Sequence, residues 1–158
     1  MSEAARLAEL SDLPAIEAIN QSRRAEIVDQ RGGPMYLARE IGPDSIGSRL
    51  EAAMASDDAI VVVGTYDEVV FGYGHADIET LLDGSRVAHL QDFVVEADAR
   101  EAGIGEAMMN LIVDSAKQAG CRGIDSTALP GDRSTKNFFE SFGLKARMLV
   151  VHRAFDDE

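Results

Sequence analysis

The clearest hydrophobic pattern along the chain is helical and lies in its second half. Between residues 104 and 119, apolar side chains recur every three or four positions, and Gly120 follows the last of them. Such spacing places the apolar side chains in one stripe and predicts an amphipathic helix packed on a core. Weaker patterns of the same period predict two earlier helices, which carry Leu13, Ile16 and Ile19 and then Ile46, Leu50 and Met54.

Runs rich in valine, isoleucine, tyrosine and phenylalanine predict strands over residues 59–66, 69–78 and 87–95. The turns between them are short, so these strands are expected to be antiparallel neighbours. Shorter signals predict strands over residues 5–8, 123–128 and 144–154 and a helix over residues 134–142. The order β, α, α, β, β, β, α, β, α, β contains one β-α-β crossover. It predicts an α/β (α+β) fold with a mixed, mostly antiparallel central sheet flanked by helices.

Composition and charge narrow the possible functions. The 158 residues contain neither a linker nor a repeat and are expected to fold as one domain, residues 1–158. With 28 acidic against 15 basic residues, the formal net charge is −13, which excludes nucleic acid and disfavours a membrane as partner. The single cysteine, Cys121, cannot form an internal disulfide, and no signal peptide is recognised, so a cytoplasmic protein is expected. No Cys/His cluster has the spacing of a metal site, so no metal is predicted.

The acidic excess is distributed unevenly along the chain. Residues 1–89 hold 16 acids and 7 bases, a net charge of −9, whereas residues 90–158 hold 12 acids and 8 bases, a net charge of −4. An anionic ligand is therefore easier to accommodate in the second half. The first half favours a cationic substrate through local electrostatic steering.

The chemistry is expected in the loop that precedes the strongest helix. Gly103 and Gly105 flank one residue at the helix start, where glycine lets backbone N–H groups approach an anion and the helix dipole favours negative charge. A helix start that only needs flexible backbone angles would show the same spacing. A dinucleotide-binding fold, in which Asp125 would bind a ribose, is disfavoured because Met108 takes the third glycine position and only one β-α-β unit is present.

Two motifs taken together resemble one family. The pattern Arg100-x-x-Gly103-x-Gly105 lies between a strand and a helix, and a further strand leads to the aromatic helix Asn137-Phe138-Phe139-Glu140-Ser141-Phe142, followed by Gly143. This arrangement, over residues 6–153, resembles the GNAT superfamily of N-acetyltransferases, and the predicted element order matches the fold of that superfamily. The resemblance implies direct transfer of an acetyl group from acetyl-coenzyme A, the cosubstrate, to the primary amine of a small molecule or peptide.

The resemblance also implies which residues contact the cosubstrate. The strand backbone would pair with the pantetheine arm, as an extended ligand adds to a sheet edge, and the loop backbone would hold the pyrophosphate. Asp132 stands where the family commonly has an asparagine that touches the cosubstrate. The implied binding residues are Phe93, Val94, Val95, Arg100, Glu101, Ala102, Gly103, Ile104, Gly105, Glu106 and Asp132. These residues leave open whether the donor carries an acetyl or a longer acyl group.

A base is needed because an amine attacks a thioester only when it is neutral. His89 occupies a position where some family members place a glutamate or histidine base, and an ordinary histidine pKa of about 6.5 suits proton transfer near neutrality. Period-two alternation predicts that His89 shares a face with Gln91, Phe93 and Val95, and that Asp92 lies on the other face. The alternative role for His89 is a half-buried partner across the sheet, and the rival bases are Asp92, His75 and Glu79.

Phe139 departs from the family pattern. The family usually has a tyrosine there, whose hydroxyl protonates the departing thiolate, and phenylalanine cannot donate a proton. An acyl-coenzyme A-binding or sensor module without turnover is therefore the alternative function. A protein-interaction domain unrelated to acyl transfer would leave the Arg100-x-x-Gly103-x-Gly105 pattern unexplained. A homodimer is left open, and residues 21–41, which are expected to shape the acceptor pocket, carry no motif that identifies the amine.

Overall fold

The computed structural model describes residues 2–100 and 102–156. In this part of the chain, five strands form one sheet, in the order in which they occur in the sequence. The first four pair in antiparallel fashion, and the fifth runs parallel to the fourth. The strands are β1 (Glu3–Leu7), β2 (Ala59–Tyr66), β3 (Val69–Thr80), β4 (Arg86–Val95) and β5 (Ile124–Asp125). The predicted mixed, mostly antiparallel sheet is confirmed.

Helices cover both faces of this sheet. They are α1 (Leu13–Ile27), α2 (Gly33–Tyr36), α3 (Gly47–Met54), α4 (Ile104–Gln118) and α5 (Arg133–Ser141). The short helix α2 is absent from the predicted order; it begins at Gly33-Pro34, where proline is compatible with a first helical turn, and continues into one π-helical turn over Leu37–Ile41. None of the helices in the described part of the chain is both long and apolar enough to cross a bilayer.

Two apolar cores lie on opposite faces of the sheet. The first contains α4, whose Met108 and Ile112 are fully buried. The second lies under α1 and α3, where Ile16 and Leu50 are fully buried. Successive residues of β2 alternate between the two cores, as the pleat of a strand requires: Ile60 and Val62 join the first, and Val61 and Val63 join the second.

A β-bulge at Gln91 interrupts the alternation of β4. Across the β3–β4 ladder, Ala76 pairs with Leu90 and the adjacent His75 pairs with Asp92, so Gln91 is an extra residue. Because one extra residue exchanges the faces of everything beyond it, Leu90 lies in the α4 core, whereas Val94 lies in the core under α1 and α3. The predicted separation of Asp92 from the face of His89 is therefore wrong: both lie on the α1/α3 face.

The chain after α5 differs most from the prediction. The strand expected over residues 144–154 is not formed, and the strand expected over residues 123–128 is reduced to the two residues of β5. A strand needs a partner for its backbone groups, and β5 pairs with β4 only through Ile124 and Asp125 before the chain diverges. Residues 144–156 therefore form no strand beside β5. Their apolar side chains at Met148–Val151 are 69–89% exposed.

Glycines of β2 and β3 let α4 lie close to the sheet. A Cβ added at Gly64 would lie 2.3 Å from Ile104 Cγ2 and 2.5 Å from Met108 Sδ, closer than the non-bonded contacts that real Cβ atoms make. A Cβ added at Gly74 would lie 2.9 Å from Ile112 Cδ1. The absence of side chains on this strip of the sheet thus sets the height of α4 above it.

We expect Gly64→Ala to lower the free energy of unfolding by about 1–3 kcal/mol, because the added methyl group overpacks the contact with Ile104 and Met108. The matched control is Gly123→Ala, since a Cβ at Gly123 meets nothing within 4 Å. Urea unfolding of the two variants measures the difference. Equal stabilities would show that α4 can move away without cost.

Candidate active site

A cleft opens where β4 and β5 diverge. It is narrow, with about 40 Å³ open to a water-sized molecule, and it is continuous with solvent. Beyond the backbone pair of His89 with Asp125, a side-chain hydrogen bond joins the two segments: Ser126 Oγ donates to Leu90 O at 3.0 Å. The cleft is lined from α1, α2, β3, β4 and α5, by residues that include Arg23, Tyr36, Tyr73, Asp92, Phe93, Val94, Thr127 and Phe139.

The edge of β4 at this cleft includes two of the predicted binding residues. Phe93 and Val94 line the cleft, and no strand of the described chain pairs with β4 on this side beyond His89. Their backbone is open to an extended ligand, and its contact with the cosubstrate stays a prediction. Val95 lies at the end of β4, where its carbonyl accepts from Arg100 Nε at 3.0 Å.

At the start of α4, several backbone N–H groups have no hydrogen-bond partner among the residues that the structure describes. Gly103 has φ +81°, a left-handed conformation that favours glycine, and its carbonyl accepts the first helical hydrogen bond, from Ala107 N. Its neighbours Ile104, Gly105 and Glu106 occupy the first turn, where N–H groups have no partner within the helix, and no side chain of the cap residue binds them. N–H groups at a helix start suit an anion, and binding of the pyrophosphate here stays a prediction.

Other parts of the predicted loop are already engaged. The amides of Arg100 and Ala102 donate to Ala97 O and Ala99 O within a 3-10 turn. The Arg100 side chain forms an ion pair with Glu26 of α1 at 3.3 Å. Glu101 lies outside the described residues. The available donors are therefore those at the helix start, and an aromatic cluster packs beside them, with Phe93 and Phe138 ring centroids 5.1 Å apart.

Asp132 caps α5. Its carboxylate accepts from Thr135 N at 3.1 Å and Thr135 Oγ1 at 2.7 Å, and it pairs with Arg23 at 3.3 Å. Burial raises the pKa of Asp132, but the hydrogen bonds from Thr135 and Arg23 outweigh it and hold the pKa below its usual range. A carboxylate at this position thus has a structural role, and its predicted contact with the cosubstrate stays a prediction.

A polar network crosses the α1/α3 face of the sheet next to the cleft. Arg49 of α3 donates to His75 Nδ1 at 2.7 Å and to Asp92 Oδ2 at 2.5 Å. Because a guanidinium only donates, His75 Nδ1 accepts, and the proton of the neutral ring lies on Nε2, which donates to Asp77 Oδ1 at 2.9 Å. Burial lowers the pKa of His75, and the charge of Arg49 acts in the same direction.

Asp92 and two tyrosines bring titratable groups into the cleft. Arg49 holds Oδ2 of Asp92, and no residue that the structure describes donates to Oδ1. Burial, and then the charge of Asp92, raise the pKa of Tyr36 and of Tyr73, so both phenols keep their protons near neutrality. Tyr73 accepts from Asn20 Nδ2 at 3.0 Å. The cleft therefore offers one carboxylate and two protonated phenols.

The structure separates His89 from this group. His89 lies half-buried in β4, opposite Asp77 on β3 and Asp125 on β5, and it does not line the cleft. Its rival Asp92 does. Sequence reasoning missed Tyr36 and Arg49, which lie on short helices without a recognisable motif. Tyr73 offered a signal, since it is a lone phenol among valines and glycines of an apolar strand.

Comparisons with known proteins identify relatives of the chain. The sequence model described as Acetyltransferase (GNAT) family matches residues 25–144. A protein described as probable glucosamine 6-phosphate N-acetyltransferase 2 of Oryza sativa subsp. japonica is 31% identical in an alignment of length 114 that covers 64% of this chain and 69% of the rice protein.

Solved structures share the fold. BH1408 protein from Bacillus halodurans, in a tetramutant form, superposes with a TM-score of 0.81 at 18% identity, over 96% of this chain and 99% of the other. Glucosamine-6-phosphate N-acetyltransferase from Arabidopsis thaliana gives a TM-score of 0.66 at 20% identity, over 99% and 100% of the two chains. AAC(6')-Iy in complex with a bisubstrate analogue gives 0.70 at 16% identity, over 98% and 99%.

The buried His75 predicts a dependence of stability on pH. Unfolded His75 takes up a proton below its ordinary pKa of about 6.5, whereas folded His75 stays neutral to lower pH, so acid favours the unfolded chain. The contribution of His75 to stability is complete above about pH 6.5 and is lost as the pH falls from there through the folded pKa. Urea unfolding at about pH 7 and pH 5.5 should show a steeper loss for the wild type than for His75→Gln. The difference is at most about 1.4 kcal/mol per pH unit, the value for one proton. Parallel losses would contradict the assignment.

Proposed function

The chain belongs to the acetyltransferase (GNAT) family, and on that basis we propose that it transfers the acetyl group of acetyl-coenzyme A directly to a primary amine, preferably a cationic one. The observation that carries the proposal is the cleft between β4 and β5. It connects an open strand edge at Phe93 and Val94 with a carboxylate and two phenols, beside a helix start that suits an anion.

The donor side of the cleft fits acetyl-coenzyme A. We assign its pyrophosphate to the amides of Ile104, Gly105 and Glu106 at the start of α4, and its pantetheine arm to the backbone of Phe93 and Val94. The thioester supplies a carbonyl carbon that an amine can attack. A Cβ at Gly105 would lie 3.3 Å from Phe138 Cε1, so a side chain at this position would have to share the space with the aromatic cluster.

The acceptor side holds one carboxylate, Asp92, which is paired with Arg49 through Oδ2. No described residue donates to Asp92 Oδ1, and Asp92 as a whole is only 8% exposed. A cation that enters the cleft therefore meets a partly dehydrated carboxylate. Coulombic attraction is stronger there than in bulk water. The acidic first half of the chain, with its net charge of −9, adds long-range attraction of the same sign. The relatives from rice and Arabidopsis thaliana are named for an amino sugar, which is consistent with an amine acceptor.

Proton transfers assign roles to the side chains of the cleft. An ammonium must lose one proton before attack, and we assign the acceptance of that proton to Asp92 Oδ1. As the C–N bond forms and the C–S bond breaks, the nitrogen loses a second proton and the sulfur gains one, so the balanced reaction releases one proton to solvent. Tyr36, whose raised pKa keeps its phenol protonated, is the donor that we assign to the sulfur. His89 stays the alternative base predicted from the sequence.

A binding module without turnover is the second candidate, favoured by Phe139. Phe139 lines the cleft and has no proton to donate, although tyrosine is usual at this position in the family. Calorimetry with coenzyme A distinguishes the two candidates from unrelated functions. Tight binding without release of free thiol, over a panel of primary amines, would support the module, and absence of binding would exclude both.

Asp92→Asn should lower kcat/KM for thiol release by about 10²–10⁴-fold, since it removes the proton acceptor and keeps the side-chain volume. The matched control is His75→Gln, which disturbs the same Arg49 network and leaves the Asp92 carboxylate in place. His89→Gln should change kcat/KM little. A large loss in His89→Gln together with an active Asp92→Asn would return the role of base to His89.

Tyr36→Phe should lower kcat and leave the KM of the amine nearly unchanged, because the lost proton is needed only as sulfur leaves. Tyr66→Phe serves as the control, since Tyr66 lies in β2 outside the lining of the cleft. Steady-state kinetics with acetyl-coenzyme A measure both parameters. Equal kcat values for the two variants would assign protonation of the thiolate to water.

A further inference from the structure

Tyr73 is the phenol of the cleft to which the proposed reaction assigns no task. Its side chain is fully buried on β3 and lines the cleft together with Asn20 of α1. Its hydroxyl oxygen accepts from Asn20 Nδ2 at 3.0 Å, and no residue that the structure describes accepts the hydrogen of this hydroxyl. A buried donor without an acceptor is costly, because it has given up its hydrogen bonds to water. The missing acceptor therefore has to come from what enters the cleft.

A chain of hydrogen bonds fixes the direction in which Tyr73 donates. Arg24 Nε donates to Asn20 Oδ1 at 2.8 Å, and a guanidinium can only donate. Asn20 must therefore turn its amide nitrogen toward Tyr73, whose oxygen accepts. Arg24 is itself held, because its two Nη atoms donate to Gly42 O at 2.7 Å and to Asp44 O at 2.8 Å. The amide of Asn20 cannot flip without losing both of its hydrogen bonds, so the hydrogen of Tyr73 remains available to a ligand.

Tyr73 lies on the same wall of the cleft as Asp92. Across the β3–β4 ladder Tyr73 pairs with Val94, and two positions along each strand His75 pairs with Asp92. Tyr73 and Asp92 therefore project from one face of the sheet, and the charge of Asp92 contributes to the raised pKa of Tyr73. The side chain of Tyr73 stands off this face, whereas the backbone edge of β4 lies in the plane of the sheet. The phenol thus belongs to the acceptor side of the cleft.

We propose that Tyr73 selects the acceptor amine by donating a hydrogen bond to an oxygen that the amine carries on a neighbouring carbon. This inference rests on the proposed acetyl transfer and names its substrate class: amines with a hydroxyl, ether or carbonyl oxygen beside the amino group, in preference to plain alkylamines. Asp92 Oδ1 would meet the ammonium, and Tyr73 the oxygen. An alkylamine would leave the buried phenol unpaired, which is the cost that a polar site imposes on an analogue without the polar group. Arg24 and Asn20 act through Tyr73 as positioning residues.

Thiol release with two pairs of amines tests the selection. 2-Aminoethanol is compared with propylamine, and 2-methoxyethylamine, whose oxygen only accepts, is compared with butylamine. The preference is the ratio of kcat/KM within a pair. Dividing the preference of the wild type by that of Tyr73→Phe cancels the different basicities of the amines. We expect a quotient of about 3–10 for each pair, the factor for one neutral hydrogen bond.

Asn20→Asp separates the hydrogen bond from packing. The substitution keeps the shape of the side chain and its contact with Arg24, but a carboxylate only accepts, so Tyr73 must turn its hydrogen toward position 20. The preference should then fall to that of Tyr73→Phe, although the phenol is retained. Tyr36→Phe is the matched control from the same cleft: it should lower kcat for all four amines and leave both preferences unchanged.

The outcomes separate this inference from the proposed function. Equal preferences in the wild type and Tyr73→Phe, or a preference that survives Asn20→Asp, would overturn the selection by Tyr73 and leave acetyl transfer standing. If no amine releases thiol, acetyl transfer fails, and the quotient of dissociation constants, from NMR titrations of the same amines with coenzyme A present, decides the role of Tyr73. If circular dichroism shows that Tyr73→Phe does not fold, the comparison of the wild type with Asn20→Asp decides it.

Discussion

Gln91 is an extra residue in β4, and the chemistry of the cleft depends on it. Without the bulge, Asp92 would point into the apolar core under α4, where a carboxylate would have no Arg49 to pair with. With it, Asp92 meets Arg49 and His75 on the opposite face, and Phe93 turns toward α5, where it packs against Phe138. One unpaired backbone position thus supplies both the polar wall of the cleft and the aromatic wall beside it.

Arg49 limits what Asp92 can do. Its guanidinium engages Oδ2 and leaves Oδ1 as the oxygen that can meet an acceptor amine. A cationic acceptor would add a second positive charge to the same carboxylate and weaken its hold on Arg49. Since Arg49 also fixes the tautomer of His75, the contents of the cleft and the buried histidine are linked through one side chain.

Local patterns identified most of the fold. The stripe on residues 104–119 predicts α4 because a helix displays its burial pattern in its own sequence, and Gly103 marks its start for the same reason. The bulge at Gln91 has a weaker sign: the adjacent polar residues Gln91 and Asp92 interrupt the alternation, but only the register against β3 shows which residue is extra. The strand predicted over residues 144–154 is wrong for a different reason. The sequence there is typical of a strand, but a strand forms only where its backbone groups find a partner. Tyr36 lies on a four-residue helix, which is too short for any periodic pattern.

Because glycines of β2 and β3 let α4 lie close to the sheet, the position of the whole helix depends on these contacts. The 15 residues of α4 span about 22 Å. Ile104 and Met108 contact Gly64 near the N-terminal end of the helix, where the amides of its first turn lie. A displacement of α4 at these contacts would move the amides of its first turn relative to the edge of β4. The chemical identity of the groups proposed to bind a ligand would stay the same. A natural substitution at one of these glycines would therefore first change the distance between the start of α4 and the edge of β4, the two parts of the proposed cosubstrate site.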